Sequence, residues 1–369
     1  MKPIKTGQLA MSYVGVFLGA GFVSGQELWQ FFACFGPAGL LGYLLTSAIF
    51  FPIYYALLSL VHDTGVEQTG RLLTCGAHPK LQTAVDVMHE LYLFGITVIM
   101  TAGASALGHQ LTGLPSVLVG ILFSLLVLLT ALLGLQGLIA TFRLLVPLTT
   151  VFAVVLGIVV WFQSGGRAAP AAGSVSPLLP NWPVGALTYA GYNIFGTMGV
   201  LIPLGRLLPG KEVLGRGLGI GSCLLIVLAG SIIAALTAQP EAGMSELPMM
   251  ALTGTFHPVL ATAYGLLMAL GMFSAALGCL VALLVQLGLR FPAVVSRKRL
   301  CTAAISLAAF LGSQLGFGNL VGTVYPIFGY VCIPLLVCLL VNYRRSRQGK
   351  LSWQLEEDTA EPAEPGSGT

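Results

Sequence analysis

Two acidic side chains lie inside stretches of this chain that otherwise carry almost no charge. Glu27 is the only acid in the apolar run 9–35, and Glu90 lies in the apolar run 82–108. A charged side chain near the middle of a bilayer costs about 3 kcal/mol or more, so acids found there usually serve an ion or proton pathway. Glu27 is therefore predicted to bind a coupling proton or the amino group of a solute. In the alternative, it lies half-solvated near the outer end of its helix and caps the helix start that follows.

The second acid belongs to a polar stripe on one helix face. Positions separated by about 3.6 residues per turn share a face, and the stripe consists of Asp86, Glu90, Thr97, Thr101 and Ser105. A polar stripe on an otherwise apolar helix is expected to face the protein interior. Asp86 is predicted to be solvated near the cytoplasmic end, and Glu90, which lies deeper, to relay protons. The structural alternative pairs Glu90 with His89 or with a cytoplasmic arginine.

Two apolar runs are interrupted by glycine and polar residues near their middle. The first reads GVFLGAGFVSGQE over 15–27, and the sixth reads YAGYNIFGTMG over 189–199. Glycine lowers helix propensity by about 1 kcal/mol relative to alanine, so several glycines together make local unwinding cheap. Both spans are predicted to be broken helices. The alternative is that the small residues only let neighbouring helices approach closely.

Composition places these segments in a membrane. The chain is 56% hydrophobic and 8% charged, whereas a soluble domain carries about 25% charged residues. A helix needs roughly 20 apolar residues to cross a bilayer, and lipid leaves only helices able to satisfy their backbone within one segment. We therefore predict an all-α integral membrane protein with ten transmembrane helices. The runs are 9–35, 38–61, 82–108, 115–138, 144–162, 184–205, 218–238, 258–289, 300–316 and 320–343.

The positions of the basic residues fix an orientation. Of the 17 Lys and Arg residues, all but Arg167 fall on one side if the runs are threaded in order from a cytoplasmic N-terminus. This asymmetry follows the positive-inside rule. It predicts a multi-pass protein of the plasma membrane with both termini in the cytoplasm. The basic residues then face anionic lipid, so the net charge of +4 does not indicate a nucleic-acid partner.

Spans one and six occupy matching positions if the fold consists of five helices followed by five inverted helices. Broken helices at matched places in two inverted halves are typical of the central site of a transporter. The half-helix ends expose backbone N–H groups and C=O groups, which attract a carboxylate and a cation respectively. N–H groups near 24–26 are expected to take the carboxylate. The predicted substrate-binding residues are Gly21, Ser24, Gly25, Gln26, Tyr192, Asn193 and Thr197.

The chain is predicted to form one transmembrane domain over 1–343, with inverted repeats at about 9–162 and 184–343. Residues 344–369 are expected to form a disordered cytoplasmic tail, which is acidic from about 351 onward. The seven cysteines show no metal-binding spacing, and His89-Glu90 lacks the second histidine of a zinc helix because Leu93 stands there. No enzyme activity, metal or cofactor is expected, apart from H⁺ or Na⁺ as a coupling ion.

Three segments resemble a known family. They are GAGFVSGQELWQFFACFG at 19–36, the segment 187–205 that contains TYAGYN and ends in IPLG, and GFGNLVGTVYPIFGY at 316–330. They are similar to YkvI-type membrane proteins, which are regarded as amino acid permeases near the amino acid–polyamine–organocation superfamily. The resemblance implies a LeuT-like fold with the substrate between spans one, three, six and eight.

The chain departs from one feature that the resemblance implies. Sodium-coupled carriers with a LeuT-like fold tend to place two neighbouring hydroxyl groups on span eight, beside the break in span one. The matching segment 272–276 reads MFSAA and has only the hydroxyl of Ser274. Ser274 is a candidate ligand for an ion or substrate, but sodium coupling is less well supported than proton coupling.

The sequence thus predicts a secondary active transporter that carries a small solute, an amino acid or a related compound, by alternating access. Its partners would be this solute and the lipid bilayer. The alternatives are a channel, or a membrane sensor or assembly subunit without transport activity. A channel should show a polar ring along a continuous pore, and a sensor should carry an output domain. Saturable turnover of a solute would separate a carrier from both.

Overall fold

The computed structural model describes residues 3–76, 78–133 and 138–351. These residues form helices, and the longest described connection between them is 164–181. The predicted disordered end of the tail, 352–369, lies outside the described residues. The described part of the tail extends the last helix as far as Arg347.

Sixteen α-helices and one short 3₁₀ helix (Ala33–Phe35) occur within these ranges. The α-helices are α1 (Thr6–Gly15), α2 (Ala20–Ser24), α3 (Gln26–Phe31), α4 (Pro37–Thr64), α5 (Thr69–Leu73), α6 (Pro79–Thr112), α7 (Ser116–Leu133), α8 (Leu138–Gln163), α9 (Trp182–Gly205), α10 (Lys211–Ala238), α11 (Pro240–Gly243), α12 (Pro248–Gly254), α13 (Pro258–Arg290), α14 (Pro292–Ser296), α15 (Lys298–Ser313) and α16 (Phe317–Arg347).

Each of the apolar runs found in the sequence contains helix. Among the described residues, five helices are long and apolar enough to cross a membrane, namely α4, α6, α10, α13 and α16. Shorter apolar helical segments cover 116–132 and 147–163. The helical, apolar character of the chain is confirmed, while the number of crossings and the inverted repeat remain predictions.

Many large apolar side chains on the outside of the helices are exposed. On α7, exposed residues recur at helical spacing and include Leu118, Leu122, Leu125 and Leu129. A soluble protein rarely exposes so continuous an apolar surface. These side chains instead suit contact with lipid tails, which are as apolar as leucine.

The first span is interrupted twice, as predicted in outline. Helix α1 ends at Gly15, and α2 begins only at Ala20, so the backbone at 16–19 is irregular. A second interruption lies at Gly25, whose φ of +81° separates α2 from α3. Glycine adopts this left-handed conformation without the steric cost that a Cβ atom brings.

The sixth span is not broken, which contradicts the prediction. Helix α9 runs without interruption from Trp182 to Gly205. Its polar side chains bond back to the helix itself, since Asn193 Nδ2 donates to the Tyr189 carbonyl at 3.0 Å and Thr197 Oγ1 to the Asn193 carbonyl at 2.9 Å. The amide and hydroxyl groups are therefore satisfied without unwinding.

The glycines of α9 instead permit close packing. A Cβ atom built on Gly191 would lie 2.5 Å from the carbonyl oxygen of Gly329 on α16. A Cβ atom on Gly196 would overlap the ring of Tyr92 on α6. The alternative considered for small residues, close approach of helices, is therefore what the structure shows in this span.

One end of the helix bundle is covered by the segment 167–181. Gly173 N donates to the Cys34 carbonyl at 3.2 Å, and Ser176 Oγ donates to the Gly322 carbonyl at 2.8 Å. These bonds tie the segment to the end of the first span and to α16. The segment therefore lies across this end, which is predicted to face outward.

Two ion pairs lie at the opposite end of the helix bundle. Arg206 Nη1 lies 3.0 Å from Glu67 Oε1, and Lys211 Nζ lies 2.7 Å from Asp63 Oδ2. Both pairs join the α9–α10 connection to the end of α4 and the residues that follow it. They are partly exposed, so each contributes little to stability.

The packing role of Gly191 gives a stability prediction. Gly191→Ala should lower the free energy of unfolding by about 1–3 kcal/mol, because the methyl group meets backbone rather than a flexible side chain. The matched control is Gly219→Ala in α10, where a Cβ atom meets nothing within 4 Å. Thermal unfolding in detergent should show a lower Tm for Gly191→Ala and an equal or higher Tm for the control. Equal Tm values for the two variants would mean that the close approach of α9 and α16 is not as described.

Candidate functional site

A cavity of about 80 Å³ lies beside the first interruption of span one. Its walls come from the segment 15–19, from Glu27 on α3, and from α6, α9, α13 and α16. Pockets for drug-sized ligands occupy about 300–1,000 Å³, so in this conformation the cavity suits a much smaller solute. The polar side chains in its wall are Glu27, Tyr92, Tyr192, Asn193, Thr197, Ser274, Cys279 and Tyr325.

Among the described residues that form the cavity wall, Glu27 is the only one with a charged side chain. It is 5% exposed, which rules out the half-solvated position considered in the sequence analysis. Its Oε2 accepts a hydrogen bond from Tyr192 at 2.7 Å and a longer one from Tyr189 at 3.5 Å. The Tyr325 hydroxyl also interacts with this carboxylate. A Cβ atom on Gly21 would overlap the carboxyl group, so the glycine leaves the space that Glu27 occupies.

No cationic side chain neutralises Glu27. Among the described residues, the ion pairs join other groups, and the cavity wall contains no Lys, Arg or His. Tyrosine hydroxyls stabilise a carboxylate by hydrogen bonding but do not balance its charge. A buried carboxylate without a counter-charge is unstable. The site can therefore hold a proton or a bound cation on Glu27.

Tyrosine rings hold the carboxylate in place. The rings of Tyr192 and Tyr325 are stacked with centroids 4.5 Å apart and planes 9° apart. Tyr192 also contacts Phe31 at 5.4 Å between centroids. Because Phe31 is on α3, the ring that bonds Glu27 is packed against the same short helix that carries Glu27.

The structure brings together half of the residues predicted for the site. Three of them lie on α9, and Thr197 is fixed further by a 2.7 Å hydrogen bond with the Tyr54 hydroxyl. Ser274 reaches the cavity from α13, the segment that the resemblance indicated. The predicted residues in the cavity wall are Glu27, Tyr192, Asn193, Thr197 and Ser274.

The predicted residues around the second interruption lie outside the cavity wall. Ser24 Oγ donates to the Gly21 carbonyl and accepts from Gln26 N, both at 3.2 Å. Gly25 packs against Met249 and Leu236, and the Gln26 side chain lies beside Gly318 on α16. The Gln26 N–H group is thus already bonded. The backbone that lines the cavity is instead the segment 15–19, which precedes these residues. The prediction therefore placed the exposed backbone too far toward the C-terminal end of the span.

Glu90 also lies outside the cavity wall, on α6 shortly before the cavity residue Tyr92. Its Oε2 is 3.1 Å from Arg290 Nη1 at the end of α13. Neighbouring His89 bonds Gln286 through Nδ1 at 3.0 Å. The structural alternative, a pair with an arginine, is therefore what the structure shows. Thr97, Thr101 and Ser105 are buried, as predicted for the stripe. Asp86 is half-buried, and its Oδ1 accepts from Gly70 N at 2.8 Å.

Several cavity residues are not among the predicted ones. Tyr92 lies on α6 away from the polar stripe, and Tyr325 lies on α16. Cys279 follows Ser274 along α13. An aromatic or sulfur-containing residue in an apolar helix gives no signal that separates a cavity wall from ordinary packing. Tyr92, Tyr325 and Cys279 are recognised as cavity residues only because the folded structure places them around Glu27.

Comparison with known proteins supports this fold. No protein-family model matches the chain. The "Uncharacterized membrane protein YkvI" of Bacillus subtilis (strain 168) is 28% identical over 336 residues, which cover 90% of this chain and 94% of that protein. The "Uncharacterized protein YyaD" of the same organism is 28% identical over 338 residues, covering 89% and 94%.

Solved structures share the fold at low sequence identity. MhsT in complex with L-phenylalanine superposes with a TM-score of 0.67 at 14% identity, covering 91% of this chain and 89% of MhsT. The inward-facing conformation of Mhp1 gives a TM-score of 0.64 at 12% identity, covering 93% and 80%. A mutant of the Eremococcus coleocola manganese transporter gives 0.56 at 16% identity, covering 92% and 78%.

The fold and the comparisons together define a multi-pass membrane protein with the LeuT-like fold, as the resemblance implied. Within that class, the chain is homologous to the YkvI membrane protein of Bacillus subtilis.

The Glu90–Arg290 pair gives a second stability prediction. Its side chains are 10% and 23% exposed, so Arg290→Met should leave a largely buried carboxylate without its partner. The double variant Glu90→Gln with Arg290→Met should be less destabilised than the sum of the two single variants. We expect a coupling free energy of about 1–3 kcal/mol from unfolding measurements on the double-mutant cycle.

The exposed pair Glu212–Arg216 on α10 is the matched control, with side chains 73% and 71% exposed. Its coupling should stay within about 0.5 kcal/mol. If the two cycles give the same coupling, Glu90 does not depend on Arg290, and its role in proton relay regains support.

Proposed function

We propose that this protein is a secondary active transporter that carries a small solute, an amino acid or a related compound, across the plasma membrane by alternating access. The observation that carries the proposal is the cavity at the interruption of span one, with buried Glu27 in its wall and no cationic partner for it. An irregular backbone segment that lines a cavity at membrane depth is typical of transporter binding sites.

The segment that lies across one end of the bundle favours a carrier over a channel. A channel needs a continuous pore with polar groups along it. Here the segment 167–181 is bonded across the helix ends, including a 2.7 Å bond from the Tyr330 hydroxyl to the Leu178 carbonyl. MhsT, which shares the fold, is described in complex with L-phenylalanine, and this supports the amino acid class.

Glu27 is the proposed centre of coupling. In each state of the transport cycle, a positive charge neutralises the Glu27 carboxylate. This charge belongs either to the coupling ion or to the solute. The segment 272–276 of α13 has only the hydroxyl of Ser274, whereas the resemblance implies two neighbouring hydroxyl groups there in sodium-coupled carriers. We therefore propose H⁺ rather than Na⁺ as the coupling ion. We assign Ser274 as a neutral ligand within the same cavity.

The remaining parts of the proposal concern membrane topology, cofactors and partners. We propose ten crossings in two five-helix halves with inverted topology, both termini in the cytoplasm, no enzymatic reaction, no resident cofactor or metal, and no nucleic-acid partner. Helix in every apolar run and the placement of nearly all basic residues on one side support the arrangement.

The test is uptake into proteoliposomes of purified protein from a pool of labelled amino acids and their related amines. One set carries a proton gradient and a second carries a sodium gradient, and protein-free liposomes correct for passive entry. Saturable accumulation in one set would support the carrier and identify its ion. If folded protein accumulates nothing from the pool under either gradient, the proposed function is wrong for this solute class.

Glu27→Gln tests the centre of coupling directly. Gln cannot bind a proton or balance a cation, so gradient-driven accumulation should fall at least about tenfold, the equivalent of about 1.4 kcal/mol. The control is Glu212→Gln, which changes an exposed acid outside the cavity and should keep full uptake. Unchanged accumulation by Glu27→Gln, with both variants reconstituted equally, would remove Glu27 from the transport cycle.

A further inference from the structure

The volume of the cavity beside span one limits the size of a solute that it can enclose. The cavity has a volume of about 80 Å³, and a cavity needs roughly 10–15 Å³ for each water-sized group. In this conformation it therefore holds about five to eight groups of the size of a non-hydrogen atom. This number suits a solute with one or two polar groups and a short carbon chain.

Apolar side chains from two helices form a continuous part of the cavity wall. Leu93, Ile96 and Met100 recur at helical spacing on α6, and Ala275 and Ala282 line the cavity from α13. Ligand pockets bind the apolar part of a ligand on such surfaces and use a few polar groups to orient it. The carbon chain of the solute is therefore expected to lie against α6 and α13.

The aromatic part of the wall is held in place by close packing. The Tyr92 ring fills the position where a Cβ atom on Gly196 would lie, and it meets the Phe328 ring edge to face with centroids 4.9 Å apart. The stacked rings of Tyr192 and Tyr325 form another part of the wall. Protein interiors are packed as densely as organic crystals, so these rings cannot move outward unless their neighbours also move.

Met100 is the long, adjustable side chain in the wall. A Cβ atom built on Gly19 would lie 3.5 Å from Met100 Cε and 3.8 Å from Met100 Sδ. The methionine thus reaches from α6 to the irregular segment 15–19, where the residue beside its end is a glycine. Both residues line the cavity. Because methionine is unbranched and has three rotatable bonds, it fills irregular space, and here that space borders the site of the solute.

We propose that Met100 is a specificity-determining residue, which restricts the solute to small molecules with a short apolar chain, such as alanine or 2-aminobutanoate. This inference rests on the proposed transport function and narrows its substrate by size. The restriction acts on the carbon chain of the solute. It does not depend on whether the polar part of the solute includes a carboxylate.

Two variants should move the size limit in opposite directions. Met100→Ala removes the end of the side chain that reaches the interruption, so it should enlarge the cavity. Gly199→Ala adds a methyl group to a wall residue. The nearest described atoms outside its helix lie 3.7 Å or more from the new Cβ, on His89, Ala282 and Leu93. This second variant should therefore fold normally and make the cavity smaller.

The control variants preserve either the volume at the site or the cavity itself. Met100→Leu keeps a side chain of similar volume, so it should keep the size limit. Met244→Ala makes the same replacement as Met100→Ala, but at a residue that is 74% exposed and lies outside the cavity wall. Together they separate the volume of residue 100 from a general effect of replacing a methionine.

The test uses purified protein in detergent and measures the shift in Tm with ligand concentration. The ligands are straight-chain 2-amino acids from glycine to norleucine, with phenylalanine as a bulky member, and the straight-chain amines and carboxylates of matching length. In at least one series, the unaltered protein should bind the longest member at least 10-fold more weakly than its best-bound member, which corresponds to about 1.4 kcal/mol.

The variants should change this preference for length. Met100→Ala should bind the longest member at least 10-fold more tightly than the unaltered protein does, a difference of about 1.4 kcal/mol. Gly199→Ala should weaken binding of the longer members while it keeps the shortest. Met100→Leu and Met244→Ala should keep the original order of affinities.

Three outcomes would overturn the inference. The first is tightest binding of norleucine or phenylalanine by the unaltered protein. The second is binding in none of the series. The third is the same order of affinities in Gly199→Ala as in the unaltered protein, which decides the question even if Met100→Ala does not fold. Each leaves the transporter proposal standing if labelled amino acids or amines still accumulate in proteoliposomes, whereas failure of all accumulation would count against the transporter itself.

Discussion

A buried carboxylate without a cationic partner is the constraint on which the site depends. Glu27 is held at 2.7 Å by the Tyr192 hydroxyl and lies against the backbone at Gly21. The cost of burying this charge is reduced by hydrogen bonds but is removed only by a proton or cation. The left-handed turn at Gly25 separates α2 from α3. In the resulting arrangement, the carboxyl group of residue 27 lies against residue 21.

Glycine performs two different tasks in this protein, and sequence alone did not separate them. At Gly25 it supplies a backbone conformation, with φ of +81°. At Gly191 and Gly196 it supplies space, because α16 and Tyr92 approach the helix at those points. The sequence patterns of the two spans are similar, but the outcome depends on the neighbours. In α9 the polar side chains bond back along the helix, so nothing favours unwinding.

The sequence was sufficient for the parts of the structure that follow from local composition. The apolar runs became helices, the polar stripe with Thr97 and Thr101 became buried, and Glu27 became a cavity residue. The sequence was insufficient wherever the function of a residue depends on a partner from a distant segment of the chain. Glu90 meets Arg290, which is 200 residues away, and Tyr325 reaches the cavity from the last helix. These contacts depend on how the helices pack, and neither the charge of Glu90 nor the ring of Tyr325 specifies a partner.

The arrangement of bonds around the cavity bears on how it would open in the proposed cycle. Helices α6 and α13 are tied to each other by the Glu90–Arg290 and His89–Gln286 contacts. Helices α3 and α9 are tied by Glu27, Tyr192 and the ring contact with Phe31. The cavity lies between these two pairs. Because the carboxylate and its main hydroxyl partner belong to the same pair, movement of one pair against the other opens the cavity without breaking the bond that holds Glu27. The anionic group can therefore stay oriented while the route to it changes, as a carrier with a single site requires.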